Sequence, residues 1–284
     1  MNILHSIPSW LKYPLLYKYQ KFQFNRQKES LPEIIRTQLG ELSYSKHKPV
    51  LLSGYMKSGN TWLRFLIYNY FNILENHAQE TLSFSGLNHI QHDSLGDAVS
   101  FTGPHKGFPY TIRTHYHYVK DFSLFNKSIY IYRNPLDTLV STFHFKSQHA
   151  DPNIGFSDHE KWDIDSFVLH NLKLWELHVN SYLNAPNILI VKYEDLKSDA
   201  IPQLRKIITY LGHDFDENIG RKSIEVSSFQ NIQKMGREKN EIFGNGGTQF
   251  KGEFARKGIV GGYKDSLNQT TIQKAQKILE HFIV

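Results

Sequence analysis

Apolar and polar positions along the chain follow two alternating patterns. Short, nearly continuous apolar runs bounded by Gly or Pro predict buried strands at Pro49–Gly54, Tyr110–Thr114, Ser128–Tyr132 and Asn187–Val191. Between and after them lie longer stretches with helical spacing: Asn60–Ile73, a helix opened by Pro135, Asp163–Leu183, Ala200–Leu211, Asp216–Glu225 and Thr270–Phe282. Strand and helix in alternation predict an α/β fold, a central parallel sheet flanked by helices on both faces. No repeat or low-complexity segment interrupts the pattern, so a single domain is read over residues 43–284, preceded by an N-terminal extension, 1–42, packed on it. Ligands of such sheets bind beyond the carboxyl ends of the strands, which directs attention to the segments that follow them.

Composition narrows the chemistry. The 284 residues are 40 % hydrophobic and 21 % charged, values of a folded protein. With no cysteine, disulfide frameworks, thiolate zinc sites, iron–sulfur clusters and cysteine nucleophiles are excluded. A net charge of +6 favours anionic ligands without calling for nucleic acid, which would require clustered basic residues. No run approaches the ~20 apolar residues that span a bilayer, so no transmembrane segment is expected. The stretch 1–24 is aromatic and amphipathic, with Trp10, Tyr13 and Leu16 among Lys12, Lys18 and Lys21. It lacks the order of a signal peptide and reads as an arm packed on the domain or as a segment touching lipid.

One turn carries a specific signal. Gly54-Tyr-Met-Lys57-Ser58-Gly59-Asn60-Thr61 fits the Gly-x4-Gly-x-Thr spacing of a phosphate-binding turn and sits between a predicted strand and a predicted helix. Its successive N–H groups and the helix N-terminus would cradle a phosphate. A nucleotide triphosphatase places lysine directly after the second glycine; here that residue is Asn60, and the only lysine of the turn is Lys57. The displaced cation disfavours an ordinary Mg-ATP hydrolase.

Lys57-Ser-Gly-Asn-Thr-Trp62 resembles the 5′-phosphosulfate loop of sulfotransferases that use 3′-phosphoadenosine 5′-phosphosulfate (PAPS). Three further segments agree in order and spacing. Tyr130–Ser141, containing Arg133 and Ser141, is similar to that family's 3′-phosphate motif. Phe254-Ala-Arg256-Lys257-Gly258-Ile-Val-Gly261 resembles its Phe-x-Arg-Lys-Gly-x-x-Gly signature, and Ile188–Asp195 resembles the strand whose tyrosine, here Tyr193, lies near the adenine. The resemblance implies a nucleotide site formed by Lys57, Ser58, Gly59, Asn60, Thr61 and Trp62, with Arg133, Ser141, Arg256, Lys257 and Gly258 at the 3′-phosphate. Trp62, Tyr193, Ser227 and Phe229 would surround the adenine. It implies PAPS as co-substrate, 3′-phosphoadenosine 5′-phosphate (PAP) as product, and no metal.

Sulfuryl transfer needs a base for the acceptor's proton and positive charge at the bridging oxygen of the leaving phosphate. Histidine titrates nearest neutrality, and His115 follows a predicted strand. Ile112-Arg-Thr-His115 resembles the family's Lys-Thr-His motif, whose histidine is the base, with Arg113 in place of Lys. Lys57 and His115 are therefore the expected catalytic pair. His115 and His117 also have the spacing of a metal pair, but no third ligand is placed and none is expected. The glycine-rich stretch 240–250 reads as a lid over bound nucleotide. Acceptor specificity is expected in the loops 84–106 and 148–161, for a small-molecule, glycan or lipid acceptor. The location implied is cytoplasmic. The family's short dimerisation pattern is not reproduced after Lys264, where Asn268-Gln269 replaces Thr-Val, so monomer and homodimer both stand open. Two other readings remain: a P-loop kinase or NTPase, which predicts magnesium-dependent ATP binding, and a nucleotide-binding module without catalysis.

Overall fold

Strand residues that are apolar on both sides have to be covered on both sides, and the computed structural model shows how. It describes residues 32–33, 35–36, 49–75, 82–91, 94–95, 105–125, 127–148, 162–238, 257–280 and 282. Strand β1 (Val50–Gly54) pairs in parallel with β2 (Thr111–Thr114) on one side and with β3 (Lys127–Tyr132) on the other; β4 (Ile188–Lys192) joins β3, giving the order β2-β1-β3-β4. Leu51, Tyr130 and Tyr132 face one core with helices α3 (Pro135–Gln148), α4 (Ile164–Leu183) and α9 (Gln269–Ile278). Leu52, Ile129 and Ile131 face the other with α1 (Asn60–Leu74), α6 (Ala200–Leu211) and α7 (Glu217–Val226). The predicted α/β sheet is thus the observed one.

Element ends differ from the expectation where polar side chains act as caps. Asp163 and Asp216, read as first helical residues, lie just outside their helices and accept from the Ser166 and Ile219 amides at 2.9 and 3.0 Å. Asn268 does the same for α9, accepting from the Thr271 amide at 2.8 Å, which gives that residue a local structural role. Asn187 stands outside β4 in a left-handed conformation, φ 58°. Helix α9 stops at Ile278, short of the expected Phe282, whose ring packs edge-on against Trp175 at 4.9 Å.

Three helices were not expected: α2 (Phe84–Ile90) and α5 (Tyr193–Ser198), too short to show a period, and α8 (Phe229–Glu238), which has Phe229, Ile232 and Met235 at helical spacing. The first occupies the start of a predicted loop, where Ser83 caps it by accepting from the Gly86 amide at 3.1 Å. Of the N-terminal extension, Ile35 is fully buried and Arg36 pairs with Asp121 at 2.9 Å. Apart from residues 32–33 and 35–36, that extension lies outside the described residues, as do the stretch 240–250, residues 96–104, most of 148–161 and Arg256.

Candidate functional site

Helix α1 begins without a capping side chain. Its N-cap is Gly59 (φ 107°), its first turn has no acidic residue, and the first N–H groups of the helix therefore face forward without an intrahelical partner. Gly59 is required twice over: by its positive φ, and because an added Cβ would stand 2.6 Å from the Tyr193 ring. The turn is fastened from within. Ser58 N–H donates to the Tyr55 carbonyl at 3.1 Å, and Asn60 Nδ2 donates to the same carbonyl at 3.0 Å. Asn60 thus occupies the place of the missing lysine with a structural bond. Lys57 holds φ 66°, an uncommon conformation for a residue with a Cβ and one that concentrates at functional sites. Its ammonium lies 4.6 Å from the centre of the Phe145 ring on α3.

The turn forms one wall of a cleft of about 400 Å³ at the carboxyl ends of the strands. Lys57, Gly59, Asn60, Thr61 and Trp62 line it on this side. Across from them stand Arg133 and Ser141, then Tyr193, Phe229, Lys257 and Gly258, with His115 also in the lining. Two expected residues sit differently. Ser58 is fully buried, its Oγ without a hydrogen-bond partner among the described residues. Ser227, expected at the adenine, is also fully buried and does not line the cleft; its hydroxyl accepts from Asn69 Nδ2 of α1 at 2.9 Å.

The far wall is tied together across long sequence gaps. Arg133, at the end of β3, is 8 % exposed; its guanidinium stacks 4.5 Å from the Tyr193 ring, and Nη2 donates to the Ile259 carbonyl at 2.8 Å. Its Nε is buried with no partner among the described residues. Asp137, one helical turn on, accepts from the Gly261 and Tyr263 amides at 2.7 and 3.0 Å and lies 3.7 Å from Arg133. Tyr193 donates to the Gly258 carbonyl at 3.3 Å. Gly258 has φ 61°, and a Cβ there would meet the Phe229 ring at 2.5 Å. Sequence reasoning missed Asp137, Phe145 and Lys197, all in the lining. The i,i+4 spacing of Arg133 and Asp137 was the available sign.

His115 follows β2. Its Nδ1 lies 2.7 Å from the Gly54 carbonyl, and since a carbonyl only accepts, Nδ1 carries the proton and Nε2 holds a lone pair. Packing against the strand ends lowers the pKa below the ordinary 6.5, although the residue keeps solvent contact on its cleft side; the Gly54 bond opposes this, and the cations Arg113, Arg64 and Lys57 add to it. His117 is buried instead. Among the described residues no three His, Asp or Glu side chains are grouped to hold a metal ion.

Fold and site together define an α/β protein with a phosphate-binding turn and an electropositive cleft. A sulfotransferase-domain family model matches residues 47–282, and the chain belongs to that family, the PAPS-dependent sulfotransferases. The flavonol 3-sulfotransferase of Flaveria bidentis is 29 % identical over 313 residues, spanning 98 % of this chain and 96 % of its own length. Cytosolic sulfotransferase 14 of Arabidopsis thaliana is 27 % identical over 280 residues, 84 % of this chain and 77 % of its own. In fold, the chain is similar to retinol dehydratase solved with retinol and PAP (TM-score 0.65, 16 % identity, 91 % of this chain and 85 % of that one). It is similar also to a mouse sulfotransferase solved with PAP (TM-score 0.58, 22 % identity, 88 % of each chain). These matches do not favour the kinase or NTPase reading.

Proposed function

We propose that the protein moves a sulfuryl group from PAPS to a hydroxyl or amine of a small-molecule, glycan or lipid acceptor, with His115 as the base. The residues present fit the nucleotide. Ser58 Oγ and Arg133 Nε are buried polar atoms without partners among the described residues, and the open N-terminus of α1 offers backbone donors to a phosphate. The N–H groups around Ser58–Thr61 and the Thr61 hydroxyl would hold the 5′-phosphate. Arg133, Ser141, Lys257 and the Gly258 backbone would hold the 3′-phosphate, together with Arg256. Trp62, Tyr193 and Phe229 offer ring faces and edges to the adenine.

PAPS supplies the activated sulfuryl group. His115 Nε2 takes the acceptor's proton as the acceptor atom bonds to sulfur, and Lys57 neutralises the charge left on the phosphate oxygen as its bond to sulfur breaks. No step uses a metal ion. The observation that carries this reading is the bond of His115 Nδ1 to the Gly54 carbonyl, which leaves a basic nitrogen in a cleft that also contains Lys57. A cytoplasmic location goes with it, supported by relatives named as cytosolic sulfotransferases; no described helix is long and apolar enough to cross a membrane.

The test is transfer from labelled PAPS to a panel of phenols, sterols, sugars, glycolipids and amines, read as a mass gain of one sulfuryl group. One class gains it, and His115→Ala lowers transfer by about 10²–10⁴-fold while PAP binds as before without magnesium. The base works unprotonated and its pKa is depressed, so activity holds to a lower pH than an ordinary histidine near 6.5 would allow. Full transfer by His115→Ala removes it from the mechanism; magnesium-dependent ATP binding in place of PAP overturns the whole reading.

A further inference from the structure

The segment that carries His115 continues past Thr114, where β2 ends; the Tyr116 amide donates to Thr114 Oγ1 at 3.1 Å, and the His115 ring reaches Gly54 of β1. Three of its other backbone groups are held by one face of α4. His178 Nε2 lies 3.0 Å from the His115 carbonyl, the Tyr182 hydroxyl donates to the Tyr116 carbonyl at 2.8 Å, and Ser181 Oγ accepts from the Tyr118 amide at 2.9 Å. Residues 178, 181 and 182 are neighbours on a helix surface, so a single rigid element fixes the backbone from 115 to 118.

His178 is the member of this row that touches residue 115 itself. It is 6 % exposed, and its Nδ1 is 3.0 Å from the Tyr130 hydroxyl of β3. A carbonyl accepts only, so Nε2 carries the ring proton. Burial depresses the His178 pKa to about 3, so the ring is neutral, Nδ1 is bare, and the Tyr130 hydroxyl donates to it. Tyr55, which opens the phosphate turn, meets the same ring edge-on at 5.2 Å. The ring therefore has one tautomer and one orientation, and stands between the phosphate turn and the His115 backbone.

We propose that His178 is a positioning residue for sulfuryl transfer: by donating from Nε2 to the His115 carbonyl it holds the backbone where His115 Nδ1 reaches the Gly54 carbonyl, which keeps His115 Nε2 free of a proton. This rests on His115 being the base. Without His178 a recessed carbonyl loses its donor and the segment shifts to find another. The 2.7 Å bond to Gly54 is then no longer enforced, and the His115 ring populates the tautomer protonated at Nε2, which cannot take a proton.

The test reads the His115 tautomer directly by long-range proton–nitrogen correlation NMR on the full chain with ¹⁵N-labelled histidine, with and without PAP. The wild type shows His115 protonated at Nδ1 alone. His178→Ala shows both tautomers, while its PAP affinity by calorimetry stays within about twofold because His178 is absent from the cleft lining. His178→Gln keeps an N–H at the Nε2 position and restores the single tautomer. His178→Asn, whose amide reaches only the Nδ1 position, does not, and this pair carries the contrast if the alanine variant fails to fold. A single Nδ1–H tautomer in His178→Ala, or identical behaviour of the Gln and Asn variants, overturns the positioning role and leaves the base reading intact. Full transfer by His115→Ala overturns the base reading and the positioning role with it, a failure read from transfer and not from the tautomer.

Discussion

The two walls of the cleft are built in opposite ways. The phosphate turn is nine consecutive residues, Gly54–Trp62, whose shape follows from β1, a left-handed Gly59 and two donors on the Tyr55 carbonyl. The opposite wall joins residues from β3, α3, α5 and the segment after Lys257, and its bonds span sequence separations of 65 to 126 residues. The first wall is specified by local conformation. The second exists only once the sheet has formed, because Arg133, Asp137 and Tyr193 each hold a backbone group of residues 258–263. The turn should accordingly be sensitive in chemistry and the clamp sensitive in affinity.

Between the two walls, the larger expected effect falls on the turn. Lys57→Ala removes the only lysine of the turn and the positive charge at the proposed bridging oxygen. An interaction made only in the transition state is worth about 3 kcal/mol, or about 10²-fold in turnover. PAP affinity, measured by calorimetry, changes less than tenfold. Equal losses in turnover and PAP affinity would place Lys57 in ground-state binding and erase the contrast between the walls.

The clamp gives the reverse pattern. Asp137→Asn removes the charge facing Arg133 and turns one of two accepting oxygens into a donor, against the Gly261 or the Tyr263 amide. Losing a charge-assisted bond in a partly buried site costs about 1.5 kcal/mol, so PAP binding weakens by about tenfold. Turnover at saturating PAPS stays within about twofold, and the ligand-free melting temperature falls by a few degrees. A turnover loss with unchanged affinity would show that the clamp acts on chemistry after all.

The same division explains what could be read from the sequence. Strands appeared as apolar runs because both faces of the sheet are covered, and the turn appeared because its conformation is set by adjacent residues. Arg133, Ser141, Lys257 and Gly258 were legible as motif positions, and the structure brings them to one cleft. His178 was not legible, and Asp137 only through its i,i+4 spacing to Arg133, since each acts on backbone groups that arrive from elsewhere in the chain. Ser227 was legible as a motif position, but its bond to Asn69, 158 residues away, was not. Helices α2 and α5 are too short to show a period, whereas α8 has Phe229, Ile232 and Met235 at helical spacing, a signal that was present and went unread.

The walls meet at Tyr193, against Gly59 and Trp62, and again where α3 faces the turn; the second contact carries the smallest prediction. Phe145 lies one turn beyond Ser141 on α3, and its ring faces the Lys57 ammonium at 4.6 Å. A cation over an aromatic face in a partly exposed site contributes about 0.5–1 kcal/mol. If that contact holds Lys57 in the position from which it acts, Phe145→Leu lowers turnover by about two- to fivefold, and Phe145→Tyr keeps it. In the Lys57→Ala background the same substitution has no further effect on turnover, because the cation it orients is gone. Additive losses in the double variant would mean that Phe145 works independently of Lys57, and direct coupling of the walls would then rest on the contacts of Tyr193 with Gly59 and Trp62.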